Sequence, residues 1–276
     1  MVFNGGHMMR SPAAAFDLRA ALSDEVRAAI SELDKEPLRP KIVHRCRVRL
    51  KRARALSRIG RNGAPGLAKV FNDSARALMR SLAQERDLTS LADAARGLAK
   101  KTRKKESAAL AAVAETFERA RDTVAPMNLE AIRAGLKDLL ALAHVWPEAS
   151  PRQIARGAER IARRARRAQR RGHDSDAPAR RHKWRKREKD RLFAVDLLNG
   201  AWPDDRKRRR KVGEKLADVL GHERDALLLI ERIAAEPALA GGHDGAKRAL
   251  KAVQRRRAKL SARADAIGRV LHADHA

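Results

Sequence analysis

The segment HRCRVRLK at 44–51 returns at 182–189 as HKWRKREK, and both read H-x-x-R-x-R-x-K. A second pair of motifs keeps the same distance. Glu85-Arg86-Asp87 and Glu223-Arg224-Asp225 lie 138 residues apart, as do His44 and His182. At that offset Pro65 meets Pro203, and Leu78, Leu82 and Leu91 meet Leu216, Leu220 and Leu229. One match is easily had by chance in a basic chain. Several in one register imply a tandem duplication of a unit half the chain long. Such a chain is expected to fold into two like halves, each presenting the same motif.

The repeated unit reads as helical. In the first segment Phe16, Leu22, Val26, Ile30 and Leu33 recur at mostly three- and four-residue spacing. The same reading predicts helices over about 13–34, 41–59, 67–100, 106–124, 128–145, 152–171, 179–199, 204–235 and 246–271, broken at Pro, Gly and Asn clusters. No segment reads as a strand. Composition agrees: 43% of residues are hydrophobic but only 3% aromatic, with no Tyr, so the apolar content comes largely from helix-favouring Ala and Leu. The expected fold is all-α, two pseudo-symmetric antiparallel helical bundles. It has a flexible N-terminus at 1–12, a first helical half at 13–125, a connecting helix at 126–146, a second half at 150–271 and a tail at 272–276.

The single cysteine, Cys46, leaves no internal disulfide and fits a reducing, cytoplasmic setting. No run of about 18 apolar residues exists to span a membrane, and the N-terminus lacks the apolar core of a secretory signal.

Lys and Arg exceed Asp and Glu by 63 to 34, a formal charge of +29. That excess repels itself in the compact state and is relieved by an acidic partner. On a helix, His44, Arg47, Lys51, Arg54 and Arg58 fall within an arc of about 80°, while Ile42, Cys46, Leu50, Ala53 and Ser57 take the neighbouring arc and face a core. His182, Arg185 and Lys189 repeat the stripe, with Trp184 in the core place of Cys46. Just upstream, Arg156, Arg160, Arg163, Arg167 and Arg170 form another, and Arg19 and Arg27 a sparser one in the first half. Like charges four residues apart destabilise a helix. The stripes are therefore read as a surface for an anion rather than as a folding device.

His44 and His182 share their arcs with Arg and Lys, which favours a phosphate-facing ring kept neutral by its neighbours and donating one hydrogen bond. A buried structural histidine is the alternative. Neither has a His, Cys or carboxylate three or four residues away, so no metal site is expected. In the Arg86-Asp87 and Arg224-Asp225 pairs, the Asp either orients its Arg towards a ligand or ties down a neighbouring helix.

These residues resemble the CHAD domain family, the conserved-histidine α-helical domains. The likeness rests on VHRCRVRLKRARAL at 43–56, LAQERDLTSL at 82–91, RRHKWRKREKDRL at 180–192 and LGHERDALLLI at 220–230, and extends over about 13–271. It implies two pseudo-symmetric helical bundles and binding of inorganic polyphosphate on basic helix faces. It also implies location at polyphosphate granules. The basic residues named above, Arg86 and Arg224 included, become the expected ligand contacts. Glu188, Asp190 and Asp196 interrupt the second stripe, and Arg27 has Ala165 as its counterpart.

Polyphosphate carries a negative charge on every unit and no bases to read, which suits Arg forks and Lys points repeated at each helical turn. A nucleic-acid binder is the alternative that net charge allows, at least weakly and without specificity. Against it, five Phe, three Trp and no Tyr give few stacking platforms, and no zinc-finger or RNP motif occurs. A third reading is a scaffold or regulator at polyphosphate granules. An enzyme is not expected: there is no GxxxxGK[ST] loop, and the stripes nearly lack the carboxylates that would hold metal beside phosphates. No cofactor is implied. Substituting Arg47→Glu together with Arg185→Glu is expected to abolish binding.

Overall fold

A computed structural model describes residues 16–123, 127–199, 202 and 206–272, without the side chains of 84–86, 206–209 and 272. Among them ten α-helices follow one another: α1 (Leu18–Leu33), α2 (Pro40–Ile59), α3 (Pro65–Ser81), α4 (Gln84–Ala99), α5 (Lys104–Asp122), α6 (Leu129–His144), α7 (Pro151–Gly172), α8 (Pro178–Leu198), α9 (Arg206–Ala235) and α10 (His243–His272). No strand occurs among the described residues, and the fold is all-α. The expected flexible segment 1–12 and tail residues 273–276 lie outside the described residues.

Helix starts follow from local chemistry. Pro40, Pro65, Pro151 and Pro178 each sit in a first turn, where the N–H they lack has no intrahelical partner anyway. Asp17 Oδ1 accepts the Ala20 N–H and Asn128 Oδ1 the Ala131 N–H, both at 2.9 Å. Ser150 and Gln153 cap α7 reciprocally. The Asp17 cap starts the first helix at Leu18, later than the periodicity alone predicts.

The largest departure is at 67–100. The expected single helix is two, because α3 ends at Ser81 and α4 begins at Gln84. Leu82 and Ala83 are not helix breakers. The reason is tertiary: α3 lies on α2 and α6, whereas α4 pairs with α5 and reaches α9. The chain turns between those neighbours, and Leu82 is buried at the turn. The matching stretch of the second half, α9, runs 30 residues unbroken, through Gly221.

Among the described residues three apolar cores hold the helices. The first joins Leu22 and Val26 of α1, Leu50 and Leu56 of α2, Phe71 of α3 and Leu136 of α6 with Ile154 and Ile161 of α7 and Val195 and Leu198 of α8. Trp146 meets Phe71 edge-on there, ring centroids 5.8 Å apart. The second joins Leu110 and Val113 of α5 and Ala95 of α4 to Ile233 of α9 and Val253 of α10. The third gathers Trp184 of α8, Leu216 and Leu220 of α9, and Leu260 and Ala264 of α10. Helices from the first 125 residues and from beyond 150 thus share the first two cores.

Helix α2 is central, with α1, α3, α7 and α8 around it. The predicted core arc Ile42, Cys46, Leu50, Ala53 and Ser57 is buried, and so are Val43, Ala55, Leu56 and Ile59 on further faces. Its C-terminal end touches α7 backbone to backbone. A Cβ at Gly157 would lie 2.3 Å from the Ile59 carbonyl oxygen, so only glycine allows the approach. One turn on, Arg160 reaches the Arg58 carbonyl. This contact sets the spacing between the cationic ends of α2 and α7.

Candidate functional site

The tertiary fold sorts the arginines of α2 into two sets. Arg45, Arg49 and Arg52 meet carboxylates of α1: Arg45 Nε–Glu32 Oε2 and Arg52 Nε–Glu25 Oε1 are 2.7 Å, and Arg49 Nη1–Glu25 Oε2 is 3.3 Å. The hydrogen bond from Arg45 holds the Glu32 carboxyl below its usual range. Arg52 also donates to Asp196 of α8, which in turn takes Arg210 of α9 at 3.1 Å. Burial would lower the Arg52 guanidinium, but its bonds to Glu25 and Asp196 outweigh this and raise it. Asp196 therefore interrupts the α8 stripe in order to fasten α8 to α2.

The other set has few carboxylates. Arg54 is half-buried, with Nε 3.4 Å from Asn72 Oδ1. Burial first, then Arg58 and Arg76, push it down to about 10, against Asp190 and Asp73. Asp73 is itself held by Lys69 at 3.1 Å. Arg58 donates to Asp190 of α8, yet burial and Arg187 still lower it. Lys186 is lowered by burial, then by Arg76, Arg54, Arg187 and Arg224. Arg164 is lowered by burial, then by Arg187, Arg58, Arg61 and Arg160.

These shifts trace one surface. It is built from Arg54 and Arg58 (α2), Arg76 (α3), Arg160 and Arg164 (α7), Lys186 and Arg187 (α8) and Arg224 (α9). Burial and neighbouring cations lower Arg54, Arg58, Arg160, Arg164 and Lys186 there. Asp190, shared by Arg58 and Arg187, is the main counter-charge.

Of the predicted contacts, Arg54, Arg58, Arg160, His182, Arg185 and Arg224 come together on or beside this surface. Arg156, Arg163, Arg167 and Arg170 are exposed along α7. Lys51 is half-buried and His44 exposed on α2. Four residues have other tasks. Arg47 is buried at 8% exposure and donates to the Met79 carbonyl, one of the orphan acceptors in the last turn of α3. Lys189 pairs with Asp218 at 3.6 Å, Arg19 with Glu148 at 3.4 Å, and Arg27 with Asp24 at 3.1 Å. The side chain of Arg86 lies outside the described residues.

The sequence reading passed over Arg76, Arg164, Lys186 and Arg187. Arg187 was in view as the second Arg of H-x-x-R-x-R-x-K. Arg76 had no local signal, since nothing in α3 tells which neighbours its outer face meets.

The Glu-Arg-Asp motif divides its labour. Arg224 faces Lys186 and His182 and has Glu231 at 3.9 Å. Glu223 is buried and receives Arg181 from α8, Nη2–Oε2 2.8 Å. Arg181, 5% exposed, also donates to Asp265 and to the carbonyls of Gly172 and Ser261, and stacks 5.1 Å from the Trp184 ring. Burial opposes its charge, but Glu223 and Asp265 outweigh that and raise it. Cys46 is a core residue, its thiol pushed up to about 12 by burial and so unreactive.

His182 is half-buried, with Nδ1 enclosed and unpartnered. Burial, then Lys186, Arg224 and Arg185, push its ring down to about 4 from the ordinary 6.5. The unfolded chain takes up this proton near 6.5 and the fold resists it down to about 4, so the stability linked to His182 is full above 6.5 and declines as pH falls towards 4. NMR titration is expected to find the ring neutral at about pH 5.5, and His182→Gln to flatten the stability curve between those limits. A ring titrating near 6.5 would contradict this placement.

His173, Asp174 and Asp265 approach within 4.8 Å of one another, but each is engaged. Asp265 takes Arg181, and the His173 ring lies 2.6 Å from Asp174 and 3.0 Å from Arg269. No helix among the described residues is long and apolar enough to cross a membrane.

Comparison with known proteins bears on the whole of this architecture. The family model described as "CHAD domain" matches residues 18–234. Among solved structures, the crystal structure of the CHAD domain from the plant Ricinus communis is similar over 97% of this chain and 98% of that one, with a TM-score of 0.60 at 21% sequence identity, a likeness of fold. No curated protein matches the sequence.

Proposed function

The chain belongs to the CHAD domain family, and from that premise we propose that it binds inorganic polyphosphate, without catalysing a reaction on it, across the basic surface shared by α2, α3, α7, α8 and α9. One observation carries the reading. Cations from five helices converge where burial and mutual repulsion already lower Arg54, Arg58, Arg164 and Lys186, with little carboxylate to relieve them. A chain of phosphates would supply the missing charge at each turn. Arg forks would take two oxygens each and Lys186 one, and condensed counterions would be released.

The aromatic residues argue against the nucleic-acid alternative. Trp146, Trp184, Trp202, Phe71 and Phe117 are buried in cores, which leaves only the half-buried Phe16 and Phe193 among the described aromatic residues, too few for a row of stacking platforms. Among the described residues the surface also lacks the clustered, uncommitted carboxylates that a phosphate-chemistry enzyme uses to hold metal. On this reading the protein acts as a binding module, placed wherever polyphosphate accumulates, granules included.

The test is titration with long-chain polyphosphate over a salt series, with duplex DNA and RNA as competitors at equal phosphate concentration. Affinity is expected to fall steeply and log-linearly with salt, and polyphosphate to remain bound against either competitor. Displacement by duplex DNA would refute the assignment.

A further inference from the structure

At the α7–α8 turn, away from the central surface, an open groove of about 840 Å³ is lined by Arg170 and Arg171 from the end of α7 and by Arg180 and Lys183 from the start of α8. All four side chains are exposed. None has a carboxylate or hydrogen-bond partner among the described residues, in contrast to Arg181 between them. Of the two acids on the rim, Asp174 is held by the His173 ring at 2.6 Å, which leaves Asp176 as the one uncommitted carboxylate. Four unpaired cations around one concavity, two from each helix of a hairpin, are arranged as an anion receptor.

Two basic tracks lead to this groove from the central surface. On α7, Arg160, Arg164, Arg167 and Arg171 fall within an arc of about 60° and cover about 16 Å of helix. Arg160 and Arg164 belong to the central surface, and Arg171 lines the groove. On α8, Lys183 lies one turn before Lys186 and Arg187, again joining groove to surface. The two helices pack side by side, so the tracks run together.

We infer that the α7–α8 groove is a second anchoring site for the same polyanion, and that one long phosphate chain runs from the central surface along the α7 arginines into it. The inference rests on the polyphosphate reading and adds a chain path to it. A chain too short to span both places gains only one of them. A long chain gains both, the second at the high effective concentration set by the first.

The experiment compares two variants of the full chain that lose equal charge. In one, Arg170, Arg171, Arg180 and Lys183 become Gln. In the other, four lysines of the α4–α5 turn (Lys100, Lys101, Lys104 and Lys105) become Gln. Both sets are exposed, so both variants are expected to keep wild-type helicity. With long-chain polyphosphate, the groove variant is expected to bind at least about tenfold more weakly than the lysine variant, and its salt slope to drop by about 3, four contacts at roughly 0.7 each. Equal affinities for the two variants, or an equal loss of slope, would overturn the groove and leave the central site standing. Failure of the wild type to bind polyphosphate would instead overturn the function itself.

Discussion

Arg181→Ala is expected to destabilise the protein by about 3–5 kcal/mol, among the largest effects of any single substitution in this chain. Arg181 is buried among α8, α9 and α10, where one guanidinium serves two carboxylates and two backbone carbonyls. Its removal leaves Glu223 and Asp265 inside the protein, unpaired and desolvated, and opens a gap beside the Trp184 ring. Stranded charge, rather than lost attraction, sets the size of the effect. Replacing the whole network with apolar side chains (Arg181→Met, Glu223→Leu and Asp265→Leu together) is therefore expected to recover most of the loss. Urea unfolding of the two variants measures both. A loss below about 1 kcal/mol for Arg181→Ala would show that Glu223 and Asp265 reach water or other partners.

Arg76→Glu combined with Lys186→Glu is expected to weaken polyphosphate binding about 100-fold at low salt while leaving stability unchanged or raised. Both side chains are exposed, and neither has a carboxylate partner among the described residues. They come from α3 and α8 and meet over Arg54, Arg187 and Arg224. Reversing them puts negative charge where the ligand would bring it, so the apo protein loses repulsion as the ligand loses contacts. Binding and thermal melting are read on the same protein. Unchanged affinity would place the ligand elsewhere, and a large fall in melting temperature would show that these cations have a structural role. Arg47→Glu with Arg185→Glu, the pair that the repeat alone nominates, does not separate the two effects. Arg47 is buried against the end of α3, and a carboxylate there would face the Met79 carbonyl.

That difference marks the limit of a helical wheel. The wheel put Arg47 and Arg54 on one face of α2, and on direction it is right. It carries no information about what stands opposite. Arg47 meets the end of α3, Arg54 meets Asn72 and a field of other cations, and Arg52, about 140° round the helix from Arg47, meets Asp196 from 144 residues downstream. Asp190 and Asp196 looked like interruptions of the second stripe. In space they are the acids through which α8 grips Arg58 and Arg52 of α2.

The sequence by itself determined the all-α character, most helix boundaries, the inward arc of α2 and the core places of Cys46 and Trp184. These follow from 3.6-residue periodicity and from caps within four residues of the feature they control. Only the tertiary structure decided that the helix predicted over 67–100 breaks at Leu82, that the halves share cores, and which of the chain's many arginines are neutralised by carboxylates and which gather where carboxylates are few. Those outcomes depend on contacts between residues far apart in the chain, in an interior where a charge is tolerated only beside its partner.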